Sequence, residues 1–172
     1  MKNIIAIPGS LRKNSMNLEL LSFISKNINT KINLMITSQS QLDLPILNQD
    51  HFLSEKLNQE LQEYKKLIIS SDGIIIASPE YNGSVSGALK NFIDWLSRDL
   101  NPFSNKKIGL VSISPSPFGG LRGLMHLRDI MMQLGAFVYP GNVCISKNGS
   151  SYSEQQMKLI NNFSENFSSY IS

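Results

Sequence analysis

The sequence predicts a three-layer, doubly wound α/β fold, in which a five-stranded parallel sheet lies between two layers of helices. Three observations predict this fold. Five short apolar runs lack the alternation of half-buried strands, a segment with helical periodicity follows each run, and the 172 residues suit one domain. No linker or internal repeat divides the chain, so we expect a single domain over residues 1–172.

The five predicted strands are short and rich in β-branched residues. They lie at Ile4–Ile7, Ile32–Ile36, Gly73–Ala77, Ile108–Ile113 and Phe137–Ile145. A Pro140-Gly141 pair interrupts the last of them. Because apolar residues occupy successive positions, we expect both faces of each strand to be covered, as in a parallel sheet.

Apolar residues three or four positions apart predict a helix after each strand. The five apolar stripes are Leu20, Ile24 and Ile28; Leu57, Leu61, Tyr64 and Ile68; Val85, Leu89, Phe92 and Leu96; Leu124, Leu127, Met131 and Leu134; and Ile160, Phe163, Phe167 and Ile171. In a doubly wound sheet, ligands bind outside the carboxyl ends of the strands. The loops after strands one, three and four are therefore the candidate binding segments.

Composition argues against several classes of partner. The chain has 16 basic and 13 acidic residues, a net charge of +3, and the basic residues do not cluster, so we expect no nucleic-acid partner. Cys144 is the only cysteine, which excludes an internal disulfide bond and is consistent with a reducing compartment. We find neither a signal peptide nor an apolar run of the roughly 20 residues that span a membrane. We therefore expect a cytoplasmic protein with no membrane partner.

The first candidate loop, residues 8–17, suits an anion. Ser10, Ser15 and Asn17 carry side-chain donors, Arg12 carries a positive charge, and the N-terminus of the first helix follows. A phosphate monoester is a fitting ligand. The alternative is that Ser15 only caps the helix and the loop is a simple connection. The loop lacks the Gly-Lys of a P-loop and the second and third glycines of a dinucleotide fingerprint, which argues against an NTPase and a Rossmann dehydrogenase.

The second loop, residues 78–87, contains the strong turn signal Asn82-Gly83. Such a turn presents backbone donors and acceptors to a planar heterocycle, on which Tyr81 is able to stack. The alternative is a plain turn before a capped helix. In the third loop, residues 114–123, the paired glycines Gly119 and Gly120 allow the backbone to approach a ligand closely. We expect the helix over 120–134 to direct its positive end toward the same crevice. Arg122 either adds its charge there or has a solvated or subunit-contact role.

The three loops together resemble the NADPH-dependent FMN reductase family, which includes chromate, quinone and azo-dye reductases of the flavodoxin-like fold. The resemblance runs from residue 3 to about residue 145 and rests on three segments: Gly9-Ser10-Leu11-Arg12 with Ser15 and Asn17, Pro79 to Ser84, and Phe118 to Arg122. It implies the strand order 2-1-3-4-5. It also implies a homodimer or homotetramer, for which the apolar helices over 85–96 and 121–134 would supply the contact.

The resemblance also implies a set of FMN-binding residues. Those for the phosphate and ribityl chain are Ser10, Arg12, Ser15, Met16 and Asn17; those for the isoalloxazine, largely through the backbone, are Pro79, Glu80, Tyr81, Asn82 and Gly83; and those near the pyrimidine edge are Ser114, Ser116 and Gly119. The third loop departs from the usual pattern, because Pro115 and Pro117 each remove an N–H.

The activity that the resemblance implies is hydride transfer from NADPH or NADH, through bound FMN, to a small acceptor such as a quinone, chromate, an azo or nitro compound, or free flavin. The chemistry belongs to the cofactor, so no catalytic side chain and no metal are expected. His51, His126 and Cys144 are interpreted as structural or surface residues. Two alternatives remain open: a flavodoxin-type electron carrier without NAD(P)H turnover, and an interaction module without flavin.

Overall fold

The computed structural model describes residues 1–50, 53–149 and 151–172, so the prediction for His51 lies outside the described residues. In chain order its elements are β1 (Lys2–Pro8), α1 (Met16–Asn27), β2 (Ile32–Ile36), a 3₁₀ helix (Gln39–Leu42), α2 (Glu55–Ser70), β3 (Gly73–Ala77), β4 (Glu80–Tyr81), β5 (Ser84–Val85), α3 (Gly87–Ser97), β6 (Lys107–Ser114), α4 (Leu121–Gln133), β7 (Phe137–Val138), β8 (Val143–Ser146) and α5 (Glu154–Ile171).

The central sheet is parallel and runs in the order β2-β1-β3-β6, with β7 and β8 both paired to the outer edge of β6. Phe137 pairs with Lys107, and Val143 pairs with Val111 further along the same strand. The two short strands therefore form one fifth strand, broken at Pro140-Gly141, where proline has no N–H to offer the ladder. The predicted strand order 2-1-3-4-5 is confirmed.

Helices cover both faces of the sheet, as the sequence predicts. On one face, α2, α3 and α4 bury a cluster that includes Tyr64, Phe92 and Leu124. On the other face, α1 and α5 bury a second cluster that includes Leu20, Phe163 and Phe167. Glycines in two strands allow α5 to pack closely against this face of the sheet. A Cβ at Gly109 would lie 2.8 Å from Phe163 Cζ, and one at Gly73 would lie 3.0 Å from Ile171 Cγ2.

The prediction that every strand is covered on both faces is wrong for β2. Ile32, Leu34 and Ile36 pack against the α1 and α5 layer, but Asn33 and Met35 are exposed. The physical reason is position, because β2 is the edge strand of the sheet and only one of its faces meets a helix layer.

One predicted helical stripe begins too early. Val85 lies in β5, which pairs with β4 in a separate two-stranded hairpin. α3 begins only after Ser86, whose Oγ accepts a hydrogen bond from Leu89 N at 3.2 Å and donates one to Gly9 O at 2.7 Å. Val85 therefore has the spacing of the apolar helix stripe, although it lies in a strand. In the part of the chain that the structure describes, no helix combines the length and apolarity needed to cross a membrane.

Candidate functional site

The three candidate loops meet at the carboxyl edge of the sheet, where they form one crevice. Its lining consists of Ser10, Arg12, Ser15, Met16, Asn17, Pro79, Glu80, Tyr81, Ile113, Ser114 and Pro115. The enclosed volume is about 90 Å³, which is below the roughly 300–1,000 Å³ of pockets that enclose a whole drug-sized ligand. The crevice therefore encloses only part of a ligand of that size, and the remainder would lie against its open rim.

In the first loop, two hydroxyls lie near the N-terminus of α1. Ser15 caps the helix, since its Oγ accepts a hydrogen bond from Leu18 N at 3.4 Å. Ser10 is buried, its Oγ accepts a hydrogen bond from Arg12 N at 3.3 Å, and it lies 3.5 Å from Tyr81 Oη of the second loop. Because the Ser15 hydroxyl acts as an acceptor in this cap, it still has a proton to donate, and its capping role is compatible with an anion at the same helix end.

Asn17 has a structural role in this arrangement. Its Nδ2 donates to Ile113 O and its Oδ1 accepts from Ile113 N, both at 3.2 Å, and its side chain is buried. The amide thus attaches the first turn of α1 to β6. Among the predicted phosphate-binding residues, Asn17 is therefore the one whose side-chain Nδ2 and Oδ1 both form hydrogen bonds with the protein backbone.

Sequence reasoning missed Gln39, the first residue of the 3₁₀ helix after β2. Its Nε2 donates hydrogen bonds to Ser10 O and, at 2.8 Å, to Arg12 O. No signal in the sequence identifies it, because glutamine is common on surfaces and its partners lie 27 to 29 residues earlier.

The second loop forms the hairpin that Asn82-Gly83 indicates. Tyr81 pairs with Ser84, and the two residues between them have φ values of 51° and 74°. Positive φ at both central positions defines a type I′ turn, which Asn-Gly favours. Tyr81 is 47% exposed and lines the rim of the crevice, whereas Asn82 and Gly83 form the hairpin tip outside the lining.

The Glu80 side chain connects this hairpin to α4. Its Oε2 accepts a hydrogen bond from Gly123 N at 3.0 Å, in the first turn of the helix. This contact corrects the expectation for α4, because a carboxylate of the protein already lies at the positive end of the helix. The Arg122 guanidinium lies 5.3 Å from the centre of the Phe118 ring, and Arg122 is not part of the crevice lining, which agrees with the alternative of a surface or subunit-contact role.

The paired glycines of the third loop pack closely against the sheet. Gly119 and Gly120 have φ values of 58° and 89°. A Cβ at Gly119 would lie 2.7 Å from the backbone of Ile145, and one at Gly120 would lie 2.0 Å from Ser112 Oγ. The space that glycine provides here is needed by β6 and β8, so the packing of the sheet already accounts for both glycines, and their approach to a ligand stays a prediction.

Few free donors remain in the third loop. Ser116 N donates to Ser114 Oγ at 3.0 Å, and Gly119 N donates to Ser116 O at 3.0 Å. Since two residues of this segment are prolines, the Phe118 N–H is the only one within residues 115–119 that lacks a partner among the described residues. Ser114 and Pro115 line the crevice, whereas Ser116 and Gly119 do not.

With this geometry in place, comparison with known proteins identifies the family. The sequence pattern of the NADPH-dependent FMN reductases matches residues 2–150. The chain belongs to this family. It is 36% identical to an NADPH:quinone oxidoreductase of Arabidopsis thaliana over 128 residues, which cover 74% of this chain and 65% of the relative, just under two thirds. It is 34% identical to a quinone reductase of Escherichia coli K12, covering 78% of this chain and 72% of the relative.

Solved structures agree with the family assignment. The flavoenzyme NAD(P)H:(acceptor) oxidoreductase FerB of Paracoccus denitrificans superposes with a TM-score of 0.86 at 25% identity, covering 99% of this chain and 97% of FerB. The flavodoxin-like fold and the family that the three loops resemble are thereby confirmed.

The crevice fits the cofactor in the family's name. The hydroxyls of Ser10 and Ser15, the charge of Arg12 and the N-terminus of α1 supply donors of the kind that bind a phosphate group. Tyr81 and Pro115 in the same lining provide the aromatic and apolar surface that a planar ring requires.

Cys144 and His126 carry reactive groups but are not part of the crevice lining. Cys144 in β8 packs beside the core, and burial, reinforced by the negative charge of Glu80, raises its pKa to about 11. The thiol is therefore protonated at neutral pH and is a weak nucleophile. His126 on α4 places its Nδ1 3.0 Å from Ser84 Oγ on the hairpin. Both observations agree with the structural interpretation of these side chains.

Proposed function

We propose that this chain is an FMN-dependent oxidoreductase that transfers hydride from NADPH or NADH to a small acceptor, with a quinone as the first candidate. One observation carries the proposal: loops from three separate parts of the sequence line one crevice whose donors suit a phosphorylated planar ring. Support comes from the names of the relatives in Arabidopsis and Escherichia coli, which are a quinone oxidoreductase and a quinone reductase.

The first loop holds the phosphate in this proposal. Arg12 supplies charge, Ser10 and Ser15 supply hydroxyl donors, and Met16 lies beside the ribityl chain. Asn17 contributes indirectly, by fixing the first turn of α1 to β6 through Ile113. The positive end of α1 adds a favourable interaction with an anion.

The second and third loops hold the ring. Pro79, Glu80 and Tyr81 contact it from the second loop, while Asn82 and Gly83 set the hairpin that presents them. Ser114 faces the pyrimidine edge. Ser116 and Gly119, which we assign to the same edge, act by holding the loop in shape: Gly119 N donates to Ser116 O, and Ser114 Oγ donates to Ser116 Oγ.

Bound FMN supplies the redox chemistry, accepting hydride from the nicotinamide and passing electrons to the acceptor. The residues of this chain bind and orient the cofactor. Because the enclosed part of the crevice is small, one side of the ring stays open at the rim, where nucleotide and acceptor bind in turn.

The test begins with the purified chain. We expect a yellow protein whose extracted flavin is FMN, and NADPH or NADH oxidation that depends on an added acceptor from a panel of quinones, chromate, azo and nitro compounds, and free flavin. Arg12→Ala and Lys13→Ala form a matched pair, since each removes one positive charge from neighbouring positions but only Arg12 lines the crevice. We expect Arg12→Ala to weaken FMN binding about tenfold, and Lys13→Ala to change it little.

Two results would contradict the proposal in different ways. A yellow protein that oxidises neither nucleotide with any acceptor would be an electron carrier. A colourless protein that does not bind added FMN would be an interaction module.

The prediction of a homodimer or homotetramer also belongs to this proposal. Four apolar side chains on and just before α4 are largely exposed: Phe118, Leu121, Met125 and Met132. Burial of this surface by a second copy is favourable. A single, cytoplasmic FMN-binding domain over residues 1–172 completes the prediction. Sedimentation at several protein concentrations measures the oligomeric state.

A further inference from the structure

We propose that Gln39 is a positioning residue that makes the first loop selective for a phosphate monoester. Its side-chain amide bonds the carbonyls of Ser10 and Arg12 and so fixes the backbone of two residues that line the crevice. This inference rests on the proposed function and adds to it a residue outside the three loops, on the segment that follows β2.

Gln39 supplies most of the hydrogen bonding that fixes the loop. Within the described residues, the backbone atoms of residues 10–14 take part in three hydrogen bonds: one from Arg12 N to Ser10 Oγ, and the two that Gln39 Nε2 donates to Ser10 O and Arg12 O. Residues 11–14 are exposed, so packing alone does not hold their backbone. Without Gln39, the peptide groups that follow Ser10 and Arg12 lose their anchor.

The two residues that Gln39 anchors belong to the crevice. Ser10 and Arg12 line it, whereas Gln39, with Leu11 and Lys13, lines a separate surface concavity. By holding the carbonyls of Ser10 and Arg12, Gln39 fixes the backbone from which the Ser10 hydroxyl and the Arg12 guanidinium act on an anion at the N-terminus of α1.

A phosphate group is the part of the cofactor that gains from these donors. FMN carries that group, and riboflavin has the same ring and ribityl chain without it. Loss of the Gln39 amide should therefore weaken binding of FMN and leave binding of riboflavin unchanged. A residue that merely supports the fold would affect both ligands equally, or would lower the stability of the flavin-free chain.

The test compares Gln39→Met with Gln41→Met, using the full chain freed of flavin. Methionine has a similar length but no donor, and Gln41 lies on the same 3₁₀ helix with an exposed side chain that makes no hydrogen bond within the described chain. Dissociation constants for FMN and riboflavin come from quenching of flavin fluorescence, and thermal unfolding without flavin reports folding. We expect Gln39→Met to weaken FMN binding about tenfold, the effect of losing two hydrogen bonds. Riboflavin affinity, unfolding temperature and the Gln41→Met variant should match wild type.

Failure of this inference is distinguishable from failure of the proposed function. If wild type binds FMN but Gln39→Met loses FMN and riboflavin to the same extent, or loses neither, the role of Gln39 is refuted alone. If wild type binds neither flavin, the proposed function is refuted together with this role.

Discussion

At the scale of single residues, Gly120 shows how little space the third loop has. Its φ of 89° is strained for any residue with a Cβ, and a Cβ at this position would clash with Ser112 Oγ, which would lie only 2.0 Å away. Ser112 Oγ is itself buried without a hydrogen-bond partner in the described chain. The turn therefore brings backbone into direct contact with a strand, and glycine is the one residue that permits it.

This contact predicts different effects for two glycine-to-alanine substitutions. Gly120→Ala adds both left-handed strain and a clash, so we expect it to destabilise the fold by about 2 kcal/mol or more. Gly87→Ala is the control, because it lies in the first turn of α3, has a negative φ and has no atom within 4 Å of a new Cβ. We expect it to be neutral or slightly stabilising. Urea unfolding measures both, and equal stability of the two variants would contradict the packing described for the turn.

At the scale of elements, Glu80 connects the hairpin to α4 through one hydrogen bond to Gly123 N. N-terminal N–H groups of a helix lack partners within it, and a carboxylate there also interacts favourably with the helix dipole. The contact therefore makes the position of the second loop depend on the position of α4.

Substitution of Glu80 tests this connection. We expect Glu80→Ala to lower the free energy of unfolding by about 1 kcal/mol and Glu80→Gln, which keeps an acceptor, by less. Both changes should lower the pKa of Cys144, because the negative charge of Glu80 contributes to raising it. The alkylation rate of the thiol as a function of pH reports this shift. An unchanged Cys144 pKa in both variants would show that the carboxylate does not lie where the structure places it.

Asp72 connects the starts of β1 and β3 in a pH-dependent way. Its carboxylate accepts a hydrogen bond from Asn3 N at 2.8 Å and pairs with Lys2 Nζ at 3.2 Å. The Asn3 hydrogen bond, assisted by Lys2, holds the pKa of Asp72 below its usual range. The folded-state pKa thus lies below that of the unfolded chain, about 3.9, so these contacts stabilise the fold above that pH. The stabilisation is lost as the pH falls through the folded-state pKa.

We therefore expect Asp72→Asn to lower the unfolding temperature near neutral pH, and its difference from wild type to shrink as the pH falls below about 3.9. Glu63→Gln is the control, since Glu63 is exposed and has no ion pair among the described residues. Its difference from wild type should be small at every pH. A deficit for Asp72→Asn that grows in acid would contradict the assignment.

At the scale of the whole molecule, much of the fold could be predicted because burial leaves a pattern in the sequence. The buried part of β1, residues 4–8, and the whole of β3 are continuous apolar runs, and the helix stripes recur every three or four residues. The meeting of the three loops also follows from sequence, since the carboxyl ends of parallel strands share one edge of the sheet. Family membership, predicted from the loops, is confirmed.

What could not be predicted depends on partners that are distant in the chain. Glycines at 119 and 120 signal close approach, but the sequence does not say whether a ligand or a strand approaches. Gln39 and Glu80 are ordinary polar residues until the fold brings Ser10 and Gly123 to them. Val85 has helical spacing, but the Asn82-Gly83 turn places it in a strand. The roles of the site residues toward FMN stay a prediction.

The packing of α5 has a practical consequence for how this protein is produced. The family match ends at residue 150, four residues before α5 begins at Glu154. Yet Phe163, Phe167 and Ile171 of that helix lie directly on β3 and β6, where Gly73 and Gly109 make room for them. An expression boundary drawn at the end of the match would leave this side of the strands uncovered in water. We expect such a shortened chain to collect in inclusion bodies.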